Sequence, residues 1–210
     1  IAAADTAQTR HDLQQVMRLL ALVLLPIVAL VIATARQVLT LTFPPAYGRA
    51  APILQVLILA YCAYTVYITL VTALLAENRP RRALAVPLAL LPLSALAIWW
   101  GVARLGAIGA ALASLVAVTT AAALVTAYVF RRFRPAAGPL ARSLLRIGLA
   151  AAAVWGLARL WTPEGLLLIP AYGLLGGLYL LLLLALGELR LQDLAEVRDW
   201  LPASMKRREG

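Results

Sequence analysis

Apolar residues along this chain gather in six long runs, with neither the three-to-four-residue rhythm of a soluble amphipathic helix nor the alternation of a half-buried strand. The runs are Leu19–Phe43, Ile53–Ala76, Ala83–Val102, Leu105–Phe130, Leu144–Leu160 and Gly165–Leu186. A helix needs about 20 apolar residues to cross the hydrocarbon of a bilayer, and each run comes close to that length. The fifth is the shortest and reaches it if Arg146 and Arg159 snorkel outward from its two ends. The breaks are well punctuated: Pro44-Pro45 with Gly48, Asn78-Arg79-Pro80, Arg104 with Gly106, Pro135 to Pro139, and Thr162-Pro163-Glu164-Gly165. The pattern predicts an all-α polytopic membrane bundle of six transmembrane helices. Residues 4–18 read as a polar helical lead into the first span. At the other end Leu191, Leu194, Val197 and Leu201 alternate with Asp193, Glu196, Arg198 and Asp199. That spacing predicts a helix lying along the interface, anchored by Trp200, with Lys206-Arg207-Arg208 near anionic headgroups.

Composition strengthens the membrane reading. The chain is 63% hydrophobic and 13% charged, where a soluble domain has roughly 45–50% and about 25%. A net charge of +10 would point to nucleic acid in a soluble protein. Here the charges flank the spans, so the bilayer, not nucleic acid, is the expected partner. Of the 19 lysines and arginines, only Arg36, Arg49, Arg104 and Arg159 fall on one side of the alternating topology, and the other fifteen fall on the opposite side. The rich side is expected to be cytoplasmic. The prediction is therefore a multi-pass protein of the cell membrane with both termini in the cytoplasm. The opening sixteen residues, with Asp5, Arg10, His11 and Asp12, do not resemble a signal peptide. The lack of an initiator methionine sets the expectation of a fragment or a processed product.

Candidate chemistry is sparse. His11 is the one histidine and lies in a solvated stretch, and no metal-ligand spacing, phosphate loop or hydrolase serine motif is present. The chain is expected not to be an enzyme and to carry no cofactor or metal. Cys62 is the single cysteine, which excludes an intrachain disulfide, and it reads as a small packing residue. All nine carboxylates lie outside the spans or at their edges, whereas proton and cation relays place carboxylates within the membrane. Two polar features fall inside spans. Tyr61, Thr65, Thr69 and Thr72 share one face of the second, with Tyr64 close by. They form either a wetted wall facing a cavity or a set of interhelical hydrogen bonds. Arg36, about seven residues before the outer end of the first span and followed by Gln37, Thr40 and Thr42, either snorkels to the interface or lines an aqueous cavity. Arg36, Tyr61, Thr65 and Thr69 are thus the candidate substrate-cavity residues. Gly173 with Gly177, Gly106 with Ala110 and Gly109 with Ala113 are expected where helices touch. Pro26, Pro87, Pro92 and Pro170 are expected to kink their spans.

Between Leu25 and about Arg134, three stretches carry a resemblance. They are Phe43-Pro44-Pro45-Ala46-Tyr47-Gly48-Arg49-Ala50-Ala51-Pro52-Ile53-Leu54, Ala73-Leu74-Leu75-Ala76-Glu77-Asn78-Arg79-Pro80-Arg81, and Arg104-Leu105-Gly106-Ala107-Ile108-Gly109-Ala110-Ala111-Leu112-Ala113-Ser114. In order and spacing they resemble the polysaccharide (O-antigen type) flippases, of the superfamily that also holds multidrug exporters and lipid II flippases. The resemblance implies the last six helices of a fourteen-helix, two-lobed bacterial transporter. Residues 1–134 would be its C-terminal lobe of four transmembrane helices, 135–187 an additional helix pair, and 188–210 a cytoplasmic amphipathic tail. Such a protein would carry a polyprenyl-pyrophosphate-linked saccharide between leaflets by alternating access, for surface polysaccharide biosynthesis. Its further partner would be the missing N-terminal lobe of the same transporter. An anionic pyrophosphate suits a cationic lining, which gives Arg36 a role under this resemblance. The alternative is a cation-coupled drug or metabolite exporter of the same superfamily. A polyprenyl-linked glycosyltransferase would need carboxylates in its loops, and only Glu164 lies in an outer one.

Overall fold

The computed structural model describes residues 2–76, 80–133, 137–161 and 165–188. The described residues form six α-helices: α1 Ala2–Thr42, α2 Ala51–Ala76, α3 Pro80–Leu105, α4 Ala107–Phe133, α5 Ala137–Leu160 and α6 Leu168–Ala185. Short 3-10 turns at Pro45–Ala50 and Gly165–Leu167 precede α2 and α6. In hydrocarbon every backbone group must be satisfied within its own segment, which is why runs of this apolarity fold as helices. Five helical stretches have the length and composition to cross a membrane: Leu13–Thr42, Pro45–Leu75, Ala107–Arg131, Gly138–Leu160 and Leu168–Ala185. In α3 the described apolar stretch is Leu91–Leu105, shorter than a span. The protein is an all-α, multi-pass membrane bundle. The expected interfacial helix over 191–201, its Trp200 and the basic tail lie outside the described residues.

The expected helical lead over residues 4–18 runs straight into the first span, as α1 is continuous from Ala2 to Thr42. The break expected from Pro135 to Pro139 is shorter than predicted, because α5 already begins at Ala137. Pro139 falls in the first turn, where a missing N–H costs no helical bond. Pro170 likewise lies in the first turn of α6 and does not interrupt it. α3 continues through Pro87 and Pro92 as one helix.

α4 packs against α2 and α3, which also touch each other; α2 packs against α1, and α1 packs against both α5 and α6, which touch each other. One core joins Leu13 of α1 to Leu70, Val71 and Leu74 of α2 and to Val125 and Val129 of α4. These residues come from the start of α1 and the ends of α2 and α4, so α1 runs antiparallel to both, while α2 and α4 run parallel to each other. A second core joins Leu30 of α1 to Ile147, Ala151 and Val154 of α5 and to Leu175, Tyr179 and Leu183 of α6.

Small residues set the α3–α4 crossing. Gly106 alone separates the two helices and takes φ +61, a left-handed conformation that glycine adopts without steric cost. A methyl built on Gly101 would lie 2.6 Å from the Gly109 carbonyl oxygen, and one on Gly109 would meet the Gly101 carbonyl oxygen more closely still. The contact pair is therefore Gly101 with Gly109. Gly106 has open space around it and serves the turn. The Gly173/Gly177 pair corrects an expectation, because a methyl at either position would meet nothing within 4 Å. In this chain that face of α6 is not a helix contact.

Candidate functional site

α1 is the one helix whose backbone departs from regularity, and its neighbours supply polar groups where it does. Pro26 lacks the N–H that would reach the Leu22 carbonyl. The Tyr179 hydroxyl of α6 donates to that carbonyl at 2.9 Å. Thr34 leaves helical dihedral angles, with φ −118 and ψ 22. So the irregularity expected at Pro26 is met eight residues further on. The Thr34 hydroxyl donates to the Leu30 carbonyl at 2.8 Å and also meets the Tyr172 hydroxyl. A hydroxyl has one proton, so Thr34 spends its own on Leu30 and Tyr172 donates to Thr34. Two residues before Thr34, the Ile32 carbonyl accepts from the side-chain amide of Gln55 in α2 at 2.9 Å. Tyr172 and Tyr179, seven residues apart on one face of α6, thus dock to both irregular points of α1.

Arg36 lies beyond this break, near the end of α1, and is exposed. Its side chain runs along Gly48: a methyl built there would lie 3.5 Å from the Arg36 Cγ, 3.6 Å from its Nε and 3.3 Å from the Thr40 Cγ2. The missing side chain of Gly48 thus gives Arg36 a path along the 3-10 turn toward the end of the bundle. Thr40 donates to the Arg36 carbonyl at 3.0 Å, which stiffens this last turn. On the same margin Phe43 stacks on Tyr47 with ring centroids 5.4 Å apart.

The α2 threonines do not make the interhelical hydrogen bonds that one of the two expectations gave them. Thr65 donates to the Tyr61 carbonyl at 2.9 Å, Thr69 to the Thr65 carbonyl at 2.8 Å and Thr72 to the Ile68 carbonyl at 2.8 Å. Each hydroxyl proton is spent on its own helix, so these threonines do not stitch α2 to a neighbour. Their oxygens keep lone pairs for an acceptor role. Tyr61 is 61% exposed. Among the described residues Arg36 meets Thr40 and Gly48, and Tyr61, Thr65 and Thr69 are joined to one another along α2.

A polar centre that sequence reasoning did not assemble sits at the opposite end. Glu188 follows Gly187, which turns the chain at φ +69, and is buried, with 6% of its surface exposed. Its carboxylate accepts the Ser143 hydroxyl at 2.7 Å, the Arg146 Nη1 at 3.3 Å and the Arg18 Nε at 3.3 Å. Arg18 also donates through Nη2 to the Glu188 backbone carbonyl. Arg146, expected to snorkel outward from one end of its span, is paired there with Glu188. The thirteen residues from Arg146 to Arg159 cover only roughly 20 Å of helix, against about 30 Å of hydrocarbon. Arg146 therefore sits at a depth where a carboxylate partner is favourable. Arg159 lies over the Trp155 ring at 5.1 Å and Arg104 over the Trp100 ring at 5.5 Å. Each stacks on a tryptophan one turn earlier, in keeping with a cation beside an aromatic belt.

The local signals for the missed residues were weak but present. Pro26 demands a donor for the Leu22 carbonyl, Gln55 is an amide within an apolar run, and Tyr172 and Tyr179 share a helical face. Cys62 is half-buried and free. Among the described residues no group of three or more histidine, cysteine or carboxylate side chains could hold a metal. Comparison with family models, with characterised proteins and with solved structures yields no match to this chain.

Proposed function

We propose that this chain is part of a membrane transporter that moves a lipid-linked oligosaccharide across the cell membrane, the C-terminal portion of a two-lobed flippase. The observation that carries this reading is the hydroxyl-bearing face of α2, left open with Tyr61 61% and Tyr64 45% exposed. Such a face favours an opposing wall and a polar occupant between the two. The exposed Arg36 toward one end of the bundle supplies a cation suited to a pyrophosphate. The Glu188 carboxylate is already held by two arginines, so it is not free to coordinate a coupling cation. The resemblance of the three loop-and-helix stretches supports the same reading. In this account Arg36, Tyr61, Thr65 and Thr69 contact substrate and catalyse nothing.

The test uses the full-length transporter in a strain lacking its flippase. Arg36→Ala should cut surface polysaccharide export severalfold with expression unchanged, and Arg36→Lys should keep part of it, because charge survives while the planar fork is lost. Near-normal export with alanine would overturn the role of Arg36. Residues 1–210 alone should insert and fail to restore export, since alternating access needs two lobes around one site. Full rescue by residues 1–210 would overturn the half-transporter reading.

A further inference from the structure

The Glu188 centre carries more positive than negative charge. Two guanidiniums, Arg18 and Arg146, share a single carboxylate. Arg142 stands one helical turn before Arg146 on α5 and is exposed, and residues four apart lie on the same face of a helix. Two guanidiniums in contact with one carboxylate, with Arg142 beside them, give this centre an excess of positive charge. The side chains of Arg18 and Arg146 are 37% and 40% exposed, so part of each guanidinium faces outward. Each guanidinium has five N–H groups. The contacts with Glu188 take two from Arg18 and one from Arg146. Most of these donors remain for a second acceptor.

The depth of the cluster defines which acceptor. Arg18 lies five residues into the apolar stretch Leu13–Thr42 and Arg146 eight residues into Gly138–Leu160, so long guanidinium side chains there reach toward the headgroups. Surplus cationic charge there is unfavourable unless an anion reaches the same depth. The anion available at that level is the phosphodiester of an anionic phospholipid, and basic clefts between helices at the membrane surface suit such headgroups. We propose that Arg18, Arg142 and Arg146, at the α1–α5 end of the bundle, bind the phosphate of an anionic phospholipid. Glu188 aims Arg18 and Arg146 at it while satisfying Ser143. The lipid neutralises the surplus charge and bridges α1 to α5 beside the end of α6. This holds whether or not the chain belongs to a flippase.

Native mass spectrometry of the whole chain in detergent tests it, with phosphatidylglycerol, phosphatidylcholine and inorganic phosphate as probes. Phosphatidylglycerol should bind about tenfold more tightly than phosphatidylcholine, a preference worth about 1.4 kcal/mol. Arg142→Gln removes one cation from an exposed position, leaves the Glu188 contacts intact and should weaken phosphatidylglycerol binding at least threefold. Glu188→Gln acts in the opposite sense: it raises the uncompensated charge and should tighten phosphatidylglycerol binding. Equal affinity for the two lipids would overturn the proposal, as would Arg142→Gln that binds like the parent. Full displacement of phosphatidylglycerol by millimolar inorganic phosphate would overturn the lipid assignment in favour of a soluble phosphate ligand. Helical content by circular dichroism verifies that each variant is folded, and Arg142→Gln decides the matter if Glu188→Gln is not.

Discussion

The two flanks of α2 hold together by different means. On one side α3 and α4 meet through backbone: Gly101 and Gly109 approach so closely that neither tolerates a methyl group, and weak Cα–H contacts to carbonyls suit such a crossing. On the other side α1, α5 and α6 meet through side chains that satisfy backbone. Tyr179 takes up the Leu22 carbonyl, Tyr172 meets Thr34, and Glu188 gathers Arg18, Arg146 and Ser143. Lipid offers no hydrophobic drive between helices, so association rests on shape or on polar satisfaction. Regular helices with small residues use the first. A helix broken at Pro26 and Thr34 requires the second, because its freed carbonyls have no water to turn to.

Breaking the glycine side should have the largest effect. Gly109→Val places carbons against the Gly101 carbonyl, a rigid backbone neighbour. It should cost about 3 kcal/mol in reversible unfolding from detergent, and Gly106→Ala should add strain at the turn without any clash. If Gly109→Val unfolds like the parent, close approach is not what holds α3 to α4. On the polar side Glu188→Ala should cost about 2 kcal/mol in a neutral detergent. That is less than the loss for a fully buried pair, since both arginines are more than a third exposed.

A sharper comparison comes from Tyr179→Phe. Removing its hydroxyl should cost about 0.6 to 1.7 kcal/mol, and the same change in a Pro26→Ala background should be nearly silent. Alanine restores the backbone N–H to the Leu22 carbonyl, so the tyrosine becomes redundant there. An additive cycle, with equal losses in both backgrounds, would show that the Tyr179 hydroxyl does not stand in for the N–H that Pro26 lacks. The smallest effect is expected from Thr65→Val and Thr69→Val. Each removes a bond within α2 and should move stability by less than about 0.5 kcal/mol, so any large loss of export with these variants would report substrate contact and not folding.

Lipid character, the number of helices and most of their limits were legible because they depend on local composition. A run such as Leu105–Phe130 forces a helix whatever surrounds it, and Gly106 between two runs announces a turn. The basic residues at every second break also implied the alternation of direction that the two cores display. The errors were equally local: Pro139 was read as part of a break and Pro170 as a kink, though prolines in a first turn cost nothing. The candidate cavity residues could be placed on one helix face, yet nothing in their spacing told that Thr65 and Thr69 would bond to their own backbone.

By itself the sequence determined an all-helical chain built for lipid, since burying unsatisfied backbone in hydrocarbon leaves no other fold to such runs. Tertiary structure alone decided which partners meet. Tyr179 and Leu22 lie 157 residues apart, Tyr172 and Thr34 138, and Arg18 and Glu188 170. It likewise chose Gly101 and Gly109 over Gly173 and Gly177 as the contact between helices. Helix periodicity encodes which residues share a face, but the neighbour that face meets depends on how six helices pack, and that information is spread over the whole chain.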